Sequence, residues 1–169
     1  MDLLEIIKTR RSVRSFTGES VPKKSLERIL EAGRMAPSAK NRQPWRFIVI
    51  QDEALKGKIE SAAFGQEYIS QAPVVLALCT TNIDYMMPNG QKSYPIDLTF
   101  AASFMMLQAE YDGFSTCPVT TYDELEIKEL LSVPYTMRVV MLMLVGKSED
   151  TGVKNTRMSA GRIIAYDHW

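Results

Sequence analysis

Three short apolar runs, at residues 47–50, 74–78 and 139–145, are separated by segments whose apolar residues recur every three to four positions. Each run is far too short to span a bilayer and reads as a strand of the fully buried kind. This alternation restricts the chain to a layered α/β or α+β sandwich, in which helices cover a central sheet. Periodicity alone leaves the strand order open.

The helical segments carry their own punctuation. Asp2 opens the first as an N-cap with Glu5 three positions on, Leu3, Leu4, Ile6 and Ile7 form a short apolar face, and the helix stops near Thr9. Pro22 opens a second helix in which Leu26, Ile29, Leu30 and Gly33 share a face, and Pro37 ends it. Asp52 caps a third helix running toward Ala63. The longest predicted helix covers 96–112, with Phe100, Phe104, Leu107 and Tyr111 on one stripe, close approach at Ala101 and Ala102, and Gly113 as its stop. A strand at 115–119 and a capped helix at 123–131 follow. The arm at about 147–169 has few core signals, yet Ile163, Ile164, Tyr166 and Trp169 need a surface to lie on. No repeat or linker interrupts the 169 residues, so one domain spanning 1–169 is expected.

Several classes of function are disfavoured. Twenty basic and twenty acidic residues balance, so the chain as a whole has no electrostatic reason to seek nucleic acid; positive charge is local, at 8–14. Cys79 and Cys117 sit far apart in apolar contexts and read as free buried thiols; the only histidine is His168, and no metal-ligand spacing occurs. No Gly-x-Gly is present, which excludes a dinucleotide fingerprint or a phosphate loop of the Walker kind. The start of the chain lacks a secretory signal, and a cytoplasmic protein without membrane contact is expected.

Two segments carry chemistry. Arg10-Arg11-Ser12-Val13-Arg14 offers guanidinium groups at short spacing, suited to a phosphate. Ala36-Pro37-Ser38-Ala39-Lys40-Asn41-Arg42-Gln43-Pro44-Trp45 offers hydrogen-bonding side chains on a loop stiffened by prolines. Either alone would serve as a solvated turn or a helix-ending loop. Together they suit a phosphorylated cofactor with a flat polar edge.

The pair resembles the FMN-dependent nitroreductase-like family, whose members carry both motifs in this order and spacing. The resemblance runs from Asp2 to Trp169 and weakens after Gly113. It implies an α+β (α/β sandwich) fold with a mostly antiparallel central sheet flanked by helices. It also implies an intertwined homodimer that exchanges C-terminal arms and binds FMN at its interface. The implied activity takes hydride from NAD(P)H and reduces nitroaromatics, quinones or a similar small acceptor by a ping-pong scheme.

Carried over by resemblance, Arg10 and Ser12 would meet the FMN phosphate and ribityl chain, Arg14 the N1–O2 edge, and Arg11 the same pocket. Pro37, Ser38, Ala39 and Asn41, with Gln43 as a further candidate, would reach the flavin of the opposite subunit, while Trp45 packs. Arg157 stands where the family places a second phosphate ligand, although Met158-Ser159-Ala160-Gly161-Arg162 departs from the usual surroundings and an exposed tail charge fits equally well. The family's small residues near flavin N5 are replaced here by Pro118, which has no N–H, and by Thr120, which would act through its hydroxyl or its own N–H. These departures keep open a flavin-storing protein without catalysis, or another flavin reaction on the same scaffold such as dehalogenation or enone reduction. The loop at 82–95, with Tyr85, Met86, Met87 and Tyr94, is a candidate substrate cover, though hydrophobic packing explains the same residues.

Overall fold

A computed structural model describes residues 2–150 and 156–169. The helices are α1 (Leu3–Thr9), α2 (Lys23–Arg34), α3 (Glu53–Ala62), α4 (Tyr68–Gln71), α5 (Tyr94–Tyr111), α6 (Glu124–Leu131) and α7 (Ala160–Ile163). The strands are β1 (Trp45–Ile50), β2 (Val74–Thr80), β3 (Ser115–Val119) and β4 (Arg138–Gly146). They pair in the order β1-β2-β4-β3, every neighbour antiparallel. The expected α+β sandwich is what forms.

The two central strands explain the apolar runs. Along β2, Val74, Leu76 and Leu78 join one core with α2 and α5, while Val75, Ala77 and Cys79 join a second core with α3, α4 and α6. A strand covered on both faces has no position left for a polar residue, and every residue of β2 is buried. The first run behaves differently. Among the described residues β1 pairs with β2 alone, and its middle residues are half-buried or exposed because it forms the sheet edge; the expectation of a fully buried strand at 47–50 is corrected here.

Two of the three predicted side-chain caps form. Asp52 accepts from the Leu55 N–H at 2.7 Å, and Asp123 accepts from Leu125 and Glu126 at 2.9 and 3.1 Å. The predicted Asp2 cap does not form: Asp2 stands at the cap position of α1, but only its carbonyl bonds, accepting from the Ile6 N–H, and Glu5 pairs with Lys8. Gly113, at φ 81°, ends α5 in the left-handed conformation that its lack of a Cβ permits. Gly33 lets α2 lie against α5: a Cβ there would fall 2.9 Å from Met105 Cγ and closer still to its Cε.

Helix α5 shows where helical spacing misleads. Its inner face is Leu98, Ala101, Ala102, Met105 and Ala109, all buried. The aromatic stripe of Phe100, Phe104 and Tyr111 is 40–55% exposed and faces away from the sheet. A helix apolar all round is stable only when both sides are covered. Leu3, Leu4 and Ile7 of α1 are also exposed, and Leu3, Phe104, Leu107 and Tyr111 line an apolar cavity of about 430 Å³. In the tail, α7 carries exposed Ile163 and leads to exposed Ile164, Tyr166 and Trp169.

Candidate functional site

The arginine segment runs beside β3. The Arg10 N–H closes α1 on the Ile6 carbonyl, Ser12 bridges Thr116, and the Val13 N–H donates to the Thr116 carbonyl at 3.0 Å. Val13 is buried, so alternation along extended backbone turns Ser12 and Arg14 outward. The Arg14 guanidinium lies 6.0 Å from the centre of the Tyr68 ring. Neither Arg10 nor Arg14 forms an ion pair among the described residues. Beneath them the buried Thr116 hydroxyl has no partner. Burial pushes the Cys117 thiol pKa up, opposed in part by the charge of Arg14. Arg11 lines a cavity of about 320 Å³ with Thr9, Val13, Glu110, Ser115 and Asp150, none of which is another cofactor candidate.

A side-chain chain links this segment to the end of β3. Gln66 donates to the Ala63 and Thr121 carbonyls at 2.7 and 2.8 Å and accepts from the Tyr68 hydroxyl. Tyr68 in turn faces Arg14, so the turn at Thr120 and Thr121 is tied to the arginine segment through two side chains. Thr120 is exposed and lines a cavity of about 370 Å³ with Tyr94, Tyr122, Glu124, Arg138, Val139 and Val140. Arg138 there is already committed: its Nε lies 2.8 Å from both Glu124 carboxylate oxygens, and Nη2 pairs at 2.7 Å. Burial works against the Glu124 charge, but the Arg138 bonds and the Val139 N–H hold its pKa below the usual carboxylate value.

The polar loop stands at the other edge of the sheet, leading into β1. Its groups are largely consumed internally: the Gln43 N–H donates to Ser38 Oγ at 2.9 Å, and Gln43 Nε2 donates to Asn41 Oδ1 at 3.1 Å. The Ala39 N–H donates at 2.8 Å to Asp97, a buried carboxylate near the start of α5 whose second oxygen has no partner. Lys40, Asn41 and Gln43 lie at φ 54°, 52° and 49°. Non-glycine residues in this region cost on the order of 1–3 kcal/mol each where the conformation is strained, and such residues gather at binding sites. Pro37 is exposed at the loop's start. Trp45 stacks on Phe47 with ring centres 6.5 Å apart, as a packing residue does.

Among the described residues no hydrogen bond or ion pair joins the two segments. They flank the sheet, with β2 and β4 between β1 and β3; three strand spacings of about 4.8 Å separate those edges. Arg157 is exposed and, among the described residues, donates to the Thr156 carbonyl at 3.3 Å. Sequence reasoning missed Gln66, Tyr68, Asp97 and the Arg138–Glu124 pair. Asp97 and Tyr68 sit inside apolar helical surroundings, where only the fold shows which group they meet. No cluster of metal-ligating side chains and no helix long and apolar enough to cross a membrane occurs among the described residues.

A sheet flanked by two helical layers, with an arginine segment beside one edge strand and a polar loop at the other, can be compared with known proteins. A model of the nitroreductase family matches residues 7–72 and 60–147. The chain belongs to that family. Members of the nitroreductase family are oxidoreductases, and this chain is one. The FMN reductase [NAD(P)H] of Bacillus subtilis is 31% identical over 174 residues, 91% of this chain and 70% of that protein. An iodotyrosine deiodinase of Thermotoga neapolitana is 26% identical over 190 residues, covering 98% and 97%. The crystal structure of a nitroreductase family protein from Clostridium difficile 630 superposes over the whole of both chains with a TM-score of 0.86 and 29% identity.

Proposed function

We propose that this nitroreductase is an FMN-dependent NAD(P)H:acceptor oxidoreductase, folded as one domain over 1–169 and active as a homodimer. Its acceptors are nitroaromatics, quinones or similar small flat compounds, reduced in a ping-pong cycle. The observation that carries this reading is the placement of the two motif segments at opposite edges of one sheet. No hydrogen bond or ion pair joins them within the subunit among the described residues, and in this reading a second copy brings one edge against the other. The exposed aromatic stripe of α5 and the apolar face of α1 supply the surface such a copy needs.

The residues present fit FMN. Arg10 and Arg14 are cations without carboxylate partners among the described residues, Ser12 is exposed beside them, and the Thr116 hydroxyl beneath lacks a bond. FMN, when bound, would supply the redox chemistry between a nicotinamide donor and the acceptor. In this reading Arg10, Ser12 and Arg157 hold the phosphate and ribityl chain, and Arg11 adds positive charge beside them. Arg14, kept in place against Tyr68, offers charge to the flavin edge that becomes negative on reduction. Thr120 presents its N–H or hydroxyl at the opposite edge, with Gln66 fixing the turn. Pro37, Ser38, Ala39, Asn41 and Gln43 of the partner subunit complete the pocket, and the arm at about 147–169 lies across the dimer.

The test is the visible absorption spectrum of the purified protein, repeated for Arg10→Ala with Arg14→Ala. Oxidised-flavin bands near one equivalent per subunit, lost in the variant, support the assignment; unchanged flavin affinity in the variant removes it. A second reading, reductive dehalogenation at the same flavin, is favoured by the match to the Thermotoga deiodinase along nearly its whole length. Turnover of a nitroaromatic with NADPH and none of iodotyrosine selects the first reading, and the reverse result selects the second.

A further inference from the structure

Two cations next to the polar loop remain without a role in the flavin assignment. Lys40 and Arg42 both stand over the ring of Tyr85, with Nζ at 5.3 Å and Cζ at 3.9 Å from its centre. Neither pairs with a carboxylate among the described residues. At 3.9 Å from the ring centre the Arg42 guanidinium lies over the Tyr85 face, which braces it while its N–H groups can still meet an anion. Lys40 alternates with Ser38 and Arg42 with Asn41 and Gln43 along the loop, so the cations border the groups assigned to the flavin.

Tyr85 is held as firmly as the loop. Residues 82–93 fold back on themselves: Met86 bridges Lys92, the Met87 N–H donates to the Gln91 carbonyl at 2.8 Å, and Lys92 Nζ donates to the Ile83 carbonyl at 2.9 Å. The Ser93 N–H donates to the Tyr85 carbonyl at 3.2 Å and the Asp97 N–H to the Ser93 carbonyl at 2.9 Å. Asp97 also holds the Ala39 N–H. A continuous run of bonds thus joins the ring, the start of α5 and the backbone that carries Lys40 and Arg42.

We propose that Lys40 and Arg42, braced on Tyr85, form the anion-recognition site of the open flavin face. They bind a carboxylate or phosphate carried by a flat co-substrate. Two sources supply that chemistry: the phosphates of the nicotinamide nucleotide and an acidic group on the aromatic acceptor. This inference rests on the flavin reading of the polar loop.

The experiment uses FMN-loaded wild type and the double variant Lys40→Asn with Arg42→Gln, asparagine being chosen because it tolerates the left-handed backbone at 40. Flavin per subunit is read first; a wild type that takes up no flavin defeats the flavin reading and this inference with it, whereas the constants below test this inference alone. Reduction by NADPH is then followed in stopped flow, and Michaelis constants are measured for the anionic acceptor para-nitrobenzoate and for uncharged nitrobenzene. An increase of about tenfold in the NADPH dissociation constant assigns the site to the donor. The same increase confined to the Michaelis constant for para-nitrobenzoate assigns it to the acceptor. Equal changes for nitrobenzoate and nitrobenzene, or no change in any constant, overturn the proposal. If the variant loses flavin, wild type at low and high salt decides. Weaker binding of NADPH or nitrobenzoate with nitrobenzene unmoved supports the site, and salt-independent binding of both anions overturns it.

Discussion

The segment at 10–14 and the loop at 37–43, assigned in the proposed reading to one cofactor, are built in opposite ways. The first is anchored by backbone bonds to β3 and leaves Arg10 and Arg14 without carboxylate partners among the described residues. The second spends its side chains on itself, with Gln43 bonded to Ser38 and Asn41, and holds three residues in the left-handed region. One region stores charge for a ligand; the other stores shape. Charge without partners is tolerated in water, so the first needs no scaffold beyond one strand. Shape costs backbone strain, so the second requires a buried support, and Asp97 of α5 is that support.

The sharpest way to break the comparison is to prevent the two edges from meeting. Phe100→Ser with Phe104→Ser removes the exposed aromatic stripe of α5 while leaving its buried face intact. Size-exclusion chromatography should show a monomer with normal helical circular dichroism and no flavin; a flavin-bound monomer would mean the edges do not cooperate. Next in size is the loss of stored charge. Arg10→Ala with Arg14→Ala removes charge-assisted bonds worth on the order of 1.5–3 kcal/mol each, so the FMN dissociation constant should rise by a hundredfold or more with little change in thermal stability.

Stored shape should respond the other way round. Asp97→Ala strips the acceptor from the Ala39 N–H and should lower stability by about 1–3 kcal/mol, a fall of a few degrees in melting temperature. Flavin affinity should fall with it, and Asp97→Asn, which keeps an acceptor oxygen, should fall less. Gly33→Ala, which forces Met105 aside where α2 meets α5, should also cost about 1–3 kcal/mol, yet leave flavin affinity alone. The smallest effect is alkaline. Burial raises the Cys79 pKa from 9.0 to about 11, so between those values an unfolded chain ionises its thiol while the folded one does not. Stability is therefore full below pH 9.0 and declines as pH approaches 11; replacing Cys79 by Ala should flatten that decline in urea melts.

Much of the fold was legible because burial on both faces leaves a plain mark. β2 and β4 are uninterrupted apolar runs, and Asp52, Asp123 and Gly113 mark helix ends through local chemistry that needs no tertiary context. The edge position of β1 was not legible, since an apolar strand reads alike whether it has one partner or two. The stripe of Phe100, Phe104 and Tyr111 was found, but spacing does not tell an inward face from one turned toward another molecule. At the site, the two motifs named the segments. Their support was hidden: Tyr68, Gln66 and Asp97 act across 50 residues or more of sequence, as in the Gln66–Thr121 bond at a separation of 55 and the Asp97–Ala39 bond at 58.

The central claim, that one flavin is held by arginines of one subunit and the loop of the other, is tested by mixing two defective proteins. Arg10→Ala/Arg14→Ala and Ser38→Ala/Asn41→Ala are each freed of flavin, co-refolded, and scanned for bound FMN by visible absorbance. A shared site predicts that the mixture regains flavin at about a quarter of the subunits, because each mixed dimer rebuilds one intact site of two. A mixture that stays as colourless as its components would place both segments in the site of one and the same subunit and contradict the account.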